Sequence, residues 1–257
     1  MDSYFDRLTN IKDFGNTSSE LMVGIPASKE NNEFFSIISH NIKNPFTTLL
    51  GFSDLLFEDY EQLDDEERKF YLNEILKSAH FTNKYLERFF EWIYYKTGKV
   101  KINIENLDLV EQINKSFKVI SHKFSTQNLI FNSDSQIIVK ADSESLNKIF
   151  YYILENAVIH SGSKDKILIY CEVDEFNESV KIVVKDFGVG IPEEQMSKLF
   201  KVNEDITLNS TNGIKGTGLG LILTDLLLKI NNGRITLKSK LNEGVEVIIE
   251  LPLSKLI

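Results

Sequence analysis

The chain has 257 residues, of which 42% are hydrophobic and 26% are charged. These fractions are typical of a folded globular protein and exclude a disordered or fibrous one. The net charge of −9 argues against a nucleic-acid-binding protein, because such proteins usually present a basic face. No apolar run approaches the roughly 18 residues of a membrane span. The opening residues also lack the apolar stretch of a signal peptide, so we expect a cytoplasmic protein.

The single cysteine, Cys171, excludes an internal disulfide bond and a cysteine-based metal cluster. It alternates with Ile167, Ile169 and Val173 along a predicted strand. Side chains two residues apart lie on the same face of a strand, so this pattern predicts a buried thiol in the core and not a reactive one.

Apolar residues recur at intervals of three and four in two segments, and this pattern predicts helices at about 31–57 and 72–93. The acidic stretch from Glu58 to Glu67 separates them, which indicates a helical hairpin. Each helix has one apolar stripe, and pairing of two hairpins into a four-helix bundle would cover both stripes. We therefore expect a homodimer. The first stripe contains Phe35, Ile38, Ile42, Pro45, Leu49, Phe52 and Leu56. The second contains Leu72, Ile75, Ala79, Thr82, Leu86, Phe89 and Ile93.

After Thr97 the pattern changes to alternating helices and strands, which predicts a two-layer α/β sandwich and an α+β protein overall. Helices are expected at about 108–125, 143–160 and 219–230, and Asp142 provides an N-cap for the second. Strands are expected at 137–139, 167–173, 180–185, 234–239 and 245–251. The long connection from Gly190 to Gly216 predicts a functional lid or a disordered segment. We divide the chain into a linker remnant (1–27), a helical domain (28–98) and an α/β domain (99–257).

His40 lies at the outermost position of the first helix's heptad, so we expect its side chain to be accessible to solvent. A neutral imidazole is a nucleophile near pH 7. Pro45 lies in the same helical pattern, where its ring removes a backbone hydrogen bond and is expected to bend the helix just after His40. Taken alone, an exposed histidine on a helix is more often an ordinary solvated residue than a nucleophile.

Two glycine clusters mark the second half of the chain. In the first, Asp186 follows a predicted strand and could accept a hydrogen bond from an exocyclic amine. The second opens a predicted helix, where free N–H groups favour phosphate oxygens. Either cluster alone could also be an ordinary turn. The first cluster is Asp186, Phe187, Gly188, Val189, Gly190 and Ile191, and the second is Gly216, Thr217, Gly218, Leu219, Gly220 and Leu221.

Asn156 lies inside the predicted helix 143–160, where asparagine is disfavoured by helix propensity. Its amide oxygen is a suitable ligand for Mg²⁺. The alternative is that Asn156 belongs to a solvated polar face.

Together, the run around His40, the asparagine motif and the two glycine clusters resemble those of the sensor histidine kinases of two-component signalling. The resemblance covers about residues 30–257, and Leu199-Phe200 matches a further motif in the lid. It implies that His40 accepts a phosphoryl group and that an ATP-binding domain like those of gyrase, Hsp90 and MutL follows. It also implies ATP and Mg²⁺ as cofactors, a homodimer, and phosphoryl transfer to an aspartate of a separate response regulator.

The resemblance also assigns roles to individual residues. Asn156 would hold Mg²⁺, Asp186 would recognise adenine, and His160 would lie beside the adenine ring. Asn44 would orient water during dephosphorylation of a regulator. The remaining nucleotide-binding residues implied are Gly188, Gly190, Gly216, Thr217, Gly218, Leu219 and Gly220.

Three positions depart from the family pattern. Asn41 replaces the acidic residue that usually takes the imidazole proton, so slow autophosphorylation is expected. Tyr152 replaces a common asparagine and Ile159 a basic residue near phosphate, which predicts weakened ATP binding. Tyr152 is also a poor base, which disfavours transfer of the phosphoryl group to water. The alternative function is a phosphatase-biased or catalytically weak signalling module that uses the same dimer surface for docking.

Overall fold

The computed structural model describes residues 29–124, 129–131, 136–161, 166–201 and 216–254. Two long helices come first and an α/β part follows. The predicted linker remnant (1–27) and most of the predicted lid lie outside the described residues. None of the described helices combines the length and apolar character that a membrane span requires.

The hairpin consists of helices α1 (Lys29–Glu58) and α2 (Asp65–Lys96), which pack against each other. Pro45 lies inside α1, which continues through it. Helix α2 begins earlier than its apolar pattern predicts, because Asp64 and Glu67 form a capping box at its first turn. A capping box satisfies backbone N–H groups that have no partner within the helix, so the acidic residues before the stripe start the helix.

Burial differs between the two halves of α2. Its N-terminal half leaves large apolar side chains exposed, including Leu72 and Leu76. Its C-terminal half is packed under the α/β part. The buried aromatic and aliphatic residues there are Tyr85, Phe89, Trp92, Ile93 and Tyr95.

The α/β part contains, in chain order, β1 (Ile104–Asp108), α3 (Leu109–Phe124), β2 (Leu129–Phe131), β3 (Ile138–Asp142), α4 (Ser143–His160), β4 (Ile167–Asp174), β5 (Ser179–Lys185), α5 (Glu193–Met196), α6 (Leu219–Ile230), β6 (Arg234–Ser239) and β7 (Val245–Pro252). Within the described residues, β2, β4, β5, β7 and β6 form one sheet in that order. Only β2 and β4 pair in parallel there.

Two strands were not expected from the sequence. Strand β1 pairs with β3 in a small antiparallel sheet, and β2 pairs with β4 over three residues. Strand β1 is largely polar and exposed, and β2 is too short for an alternating pattern to be recognised. Both strands therefore depend on pairing partners that are distant in the sequence.

Helices α3, α4 and α6 form a layer in which α3 and α6 both pack on α4, and α4 contacts β5 while α6 contacts β6. This arrangement confirms the predicted two-layer α/β architecture. The core includes fully buried residues such as Leu223, Ile182 and Ile249. Cys171 is less buried than predicted, but it packs against this core, and burial raises the pKa of its thiol to about 11, which agrees with an unreactive thiol. Val173 at the end of β4 is exposed.

Candidate functional site

One cavity lies between α4, α6 and the residues after β5, and most of the predicted nucleotide residues line it. The three sequence motifs are distant in the chain, and the fold brings them together. The predicted residues in the cavity wall are Asn156, His160, Asp186, Gly190, Gly216, Thr217, Gly218 and Gly220.

Gly188 and Leu219 lie beside this cavity and are not part of its wall. A Cβ atom on Gly188 would lie 2.1 Å from the backbone oxygen of His160, so only glycine allows the two chain segments to approach this closely. The side chain of Leu219 is buried in the core at the start of α6. Both residues therefore shape the site through the backbone and core packing.

The Asp186 carboxylate is buried at the end of β5 and is held in a fixed orientation. Its Oδ1 atom accepts hydrogen bonds from the backbone N–H groups of Gly188 (3.0 Å) and Val245 (3.2 Å). Bonds of this kind stabilise the ionised form of a carboxylate. The cavity therefore contains an oriented acceptor that could bind an amine of a ligand.

His160 ends α4 and contributes to the cavity wall close to Asp186. Burial lowers the pKa of His160, which favours the neutral imidazole. Its buried Nδ1 atom has no hydrogen-bond partner among the described residues. A buried polar atom without a partner is costly, so this ring is suited to contact a bound ligand.

The N-terminus of α6 faces the cavity through Gly218, which is the helix N-cap and has a φ of 71°. This left-handed conformation is strained for residues with a side chain. Because glycine offers no capping side chain, the N–H groups of the first turn remain available to an anion. The second glycine cluster therefore forms a backbone site suited to phosphate.

Asn156 lines the same cavity from α4. A Cβ atom on Gly220 would lie 3.6 Å from its Nδ2 and 3.8 Å from its Oδ1, which places the amide beside the start of α6. The described residues contain no cluster of three or more histidine, cysteine or acidic side chains suited to hold a metal. Mg²⁺ commonly uses few protein ligands together with substrate phosphates and water, and one amide beside a phosphate cradle fits that pattern.

Arg88 also lines the cavity, although it belongs to α2 of the hairpin and no sequence motif indicated it. Its Nη1 atom donates a 2.6 Å hydrogen bond to Oγ1 of Thr217, and its Nη2 atom donates to Glu155. The side chain is buried. A residue of the helical hairpin is therefore part of the wall of this site.

Glu155 is fully buried and lies among three basic side chains. Its Oε1 atom lies 3.0 Å from Nζ of Lys84 and 2.9 Å from Nζ of Lys123, and Arg88 pairs with Oε2. Burial alone would raise the pKa of Glu155, but Arg88, Lys84 and Lys123 outweigh it and lower this pKa to about 2. Glu155 is therefore ionised at neutral pH.

Two departures from the family pattern face away from the cavity. Tyr152 is buried against α2, where its hydroxyl donates to Glu91 and Arg88 lies over its ring at 4.9 Å. Burial and the bond to Glu91 raise the pKa of Tyr152, so its hydroxyl stays protonated at neutral pH and cannot take up a proton. Ile159 is buried and is not in the cavity wall. Neither side chain takes the place of a polar contact within the cavity.

His40 is exposed on α1, as its heptad position predicts. The Oδ1 atom of Asn41 lies 3.5 Å from its Nδ1, and Nδ2 of Asn41 donates to the hydroxyl of Tyr85 at 3.4 Å. Asn44 is exposed one turn further along α1. Neither His40 nor Asn44 lines the cavity, so the exposed histidine and the cavity are separate features.

Two family models match the chain. The model described as "His Kinase A (phospho-acceptor) domain" matches residues 30–93. The model described as "Histidine kinase-, DNA gyrase B-, and HSP90-like ATPase" matches residues 141–255. The first covers most of the hairpin and the second covers every residue of the cavity wall except Arg88.

Curated relatives match over most of this chain. The "Non-motile and phage-resistance protein" of Caulobacter vibrioides is 25% identical over 231 residues, which cover 88% of this chain and 27% of that protein. The "Cell-division control histidine kinase PdhS" of Brucella canis is 24% identical over 240 residues, which cover 88% of this chain and 23% of that protein. The chain therefore spans about a quarter of the length of these relatives.

Two solved structures share the fold. The histidine kinase ThkA, in complex with the response regulator protein TrrA, matches with a TM-score of 0.63 and 20% identity, over 96% of this chain and 66% of that one. The Acinetobacter baumannii histidine kinase AdeS matches with a TM-score of 0.60 and 20% identity, over 84% of this chain and 98% of that one. At this identity the matches concern the fold alone.

Proposed function

Because this chain belongs to the histidine kinase family, we propose that it transfers the γ-phosphoryl group of ATP to His40. From His40 the group passes to an aspartate of a separate response regulator. The observation that carries this proposal is the convergence of Asn156, Asp186 and the second glycine cluster on one cavity. An exposed histidine lies on a different helix and can accept the group.

The cavity offers complementary groups for the parts of ATP. The oriented carboxylate of Asp186 accepts a hydrogen bond from the adenine amine, and the Nδ1 atom of His160 lies beside the base without another described partner. The first-turn N–H groups after Gly218 bind phosphate oxygens. These contacts orient the nucleotide, with its adenine at Asp186 and its phosphates at the start of α6.

Mg²⁺ is proposed to bind to the amide oxygen of Asn156 and to phosphate oxygens of ATP. The ion would neutralise charge on the phosphates. The protein's own contribution is to position the nucleotide and exclude water, which phosphoryl transfer mainly requires.

The transfer step uses the imidazole of His40 as its nucleophile. The Oδ1 atom of Asn41 can only accept a hydrogen bond, and its position 3.5 Å from Nδ1 of His40 favours a proton on that nitrogen. Nε2 then carries the lone pair. Nε2 attacks the γ-phosphorus, a P–N bond forms, the bond to the ADP oxygen breaks, and ADP leaves. Asn41 cannot take up the Nδ1 proton, which passes to solvent.

Asn44 is proposed to act in the dephosphorylation of the response regulator. It is exposed about one turn from His40 on α1, and residues four apart lie on one helix face. Its amide can both donate to and accept from a water molecule. In a docked regulator, that water would attack the aspartyl phosphate.

The hairpin is proposed to form a homodimer and to bind the response regulator. Its large apolar side chains remain exposed in one chain, and a second hairpin would cover them. Examples are Phe57, Phe70, Leu72 and Leu76. The complex of ThkA with a response regulator supports the second partner by analogy of fold.

The test is incubation with γ-labelled ATP, followed by treatment with acid and with base. We expect a label that acid removes and base does not in the wild type. His40→Gln should lose all of it. His80→Gln is the matched control and should retain the label, because His80 is also exposed on a helix of the hairpin but belongs to none of the sequence motifs. Labelling that survives in His40→Gln and disappears in His80→Gln would contradict the assignment.

A further inference from the structure

We propose that Arg88 of the hairpin binds the phosphates of ATP, so that the nucleotide site is complete only when α2 is docked on the α/β part. This inference rests on the proposed function, because it assigns a residue to the same nucleotide site. The cavity wall contains Arg88 together with the residues of the second glycine cluster.

The guanidinium lies at the phosphate end of the cavity. A Cβ atom on Gly220 would lie 3.4 Å from Nη1 of Arg88 and 3.6 Å from Nδ2 of Asn156. The two side chains thus approach the same point at the start of α6, one from each part of the molecule. Nη1 also donates to the hydroxyl of Thr217 within the glycine cluster. Arg88 therefore lies between the proposed Mg²⁺ ligand and the proposed phosphate cradle.

The charges around Arg88 favour an anion. Lys84, Arg88 and Lys123 all contact the single carboxylate of Glu155. One carboxylate thus faces three basic side chains, of which Arg88 is buried and lines the cavity, while Lys84 and Lys123 are partly exposed. This local excess of positive charge favours an anion, and the phosphates of ATP supply the negative charge.

Arg88 has donors left for a ligand. A guanidinium carries five N–H groups, and among the described residues the contacts with Glu155 and Thr217 use one each from Nη2 and Nη1. Thr217 is a neutral partner that a phosphate oxygen can replace. Arginine binds phosphate through such planar, paired donors.

Arg88 also lies near the level of the phosphoacceptor along α2. Tyr85, whose hydroxyl accepts from Asn41, precedes Arg88 by three residues. Three residues of a helix span about 4.5 Å along its axis. Arg88 therefore lies about one helical turn along α2 from the residue that contacts the neighbour of His40.

The test compares the binding of Mg·ATP with that of adenosine, which has no phosphate, to the 257-residue chain. Calorimetry measures the first and chemical-shift titration the second. In Arg88→Gln we expect Mg·ATP affinity to fall about 10- to 100-fold, as for a lost charge-assisted hydrogen bond, with little change for adenosine. Arg88→Lys should lose less, because it keeps the charge. If Arg88→Gln fails to fold, Arg88→Lys takes its place. A loss of Mg·ATP affinity with little change for adenosine then supports the proposal, and equal changes for both ligands overturn it.

Glu91→Gln is the matched control. Glu91 also joins α2 to α4, through Lys148 at 2.7 Å and through Tyr152, but it does not line the cavity. We expect its Mg·ATP affinity to stay near that of the wild type. An equal loss in Glu91→Gln would mean that Arg88 only holds the two parts together and would overturn the proposal. Unchanged or tighter binding of Mg·ATP in Arg88→Gln would also overturn it, the latter by showing that Arg88 blocks the site.

The Asp186→Asn variant separates this proposal from the proposed function. If Asp186→Asn loses nucleotide affinity while Arg88→Gln does not, only the inference about Arg88 fails. If the wild type binds no Mg·ATP, or if Asp186→Asn binds it normally, the nucleotide site itself is wrong.

Discussion

In the α/β part, Leu223 and Ile249 are fully buried, whereas in the hairpin Phe57 and Leu76 are more than half exposed. Many apolar residues of the α/β part are buried between its own sheet and helices, although some, such as Phe176, are exposed. In the hairpin, burial is concentrated in the C-terminal half of α2, which shares one continuous core with the α/β part. The other large apolar side chains of the hairpin therefore remain exposed in one chain.

The chemistry is divided in the same way. The α/β part holds its proposed ligand groups in a cavity with fixed hydrogen bonds, and the hairpin presents His40 to solvent.

The largest expected effect concerns the proton of His40. Asn41→Glu should speed autophosphorylation, because a carboxylate can take the proton that an amide cannot. The ceiling is the factor of about 10²–10⁴ associated with a general base. Initial rates with labelled ATP measure it. Asn41→Gln is the matched control and should remain slow, and a glutamate variant no faster than wild type would leave Asn41 without a role in rate.

A pair of leucine substitutions tests the contrast in burial. Leu223→Ala in α6 should lower the free energy of unfolding by about 2–5 kcal/mol, the cost of a cavity in a packed core. Leu76→Ala in α2 removes the same atoms from an exposed site, so it should leave the monomer's unfolding nearly unchanged. It should instead weaken dimerisation. Urea titration and light scattering at several concentrations measure the two effects, and equal destabilisation of the monomer would contradict the contrast.

Substitutions in the nucleotide site should weaken Mg·ATP binding without affecting the dimer. Asp186→Ala and Asn156→Ala each remove a polar side chain from the cavity wall, and Gly218→Ala strains the backbone, so losses of about tenfold or more are expected, as for a lost contact with a charged group. Gly218→Ala adds strain, because its φ of 71° disfavours a side chain. Unchanged affinity in all three variants would exclude this cavity as the ATP site.

The contact between the hairpin and the α/β part should depend on pH. The ordinary pKa of 4.5 for Glu155 is lowered to about 2 in the folded protein. A lowered pKa means that the stabilisation is complete above about pH 4.5 and is lost as the pH falls toward 2. The stability difference between wild type and Glu155→Gln should therefore shrink over that window. Glu111→Gln, which alters an exposed ion pair, should show no comparable change.

The helices with strong apolar periods could be predicted from the sequence. The bounds of α4, α6 and β6 agree with those expected, and those of α1 and α3 agree within two residues. The start of α2 was placed too late, because its first turn depends on the capping box of Asp64 and Glu67 and not on apolar residues. Strands β1 and β2 were missed, because pairing with β3 and β4 stabilises them more than their own residue pattern does.

The sequence by itself identified the histidine, the asparagine and the two glycine clusters as candidate functional residues. Such short motifs can be recognised because their backbone conformation and chemistry depend on residues that are adjacent in the chain. Tertiary structure alone decided that Tyr152 faces Glu91 of α2 and that Arg88 enters the cavity wall. Arg88 lies in no sequence motif, and the contacts of Arg88 with Glu155 and of Tyr152 with Glu91 each join residues more than sixty positions apart. Such contacts depend on how α2 docks on the α/β part. Burial of Phe89, Trp92 and their neighbours determines this docking, and the apolar period of a helix does not predict which surface of another domain it will contact.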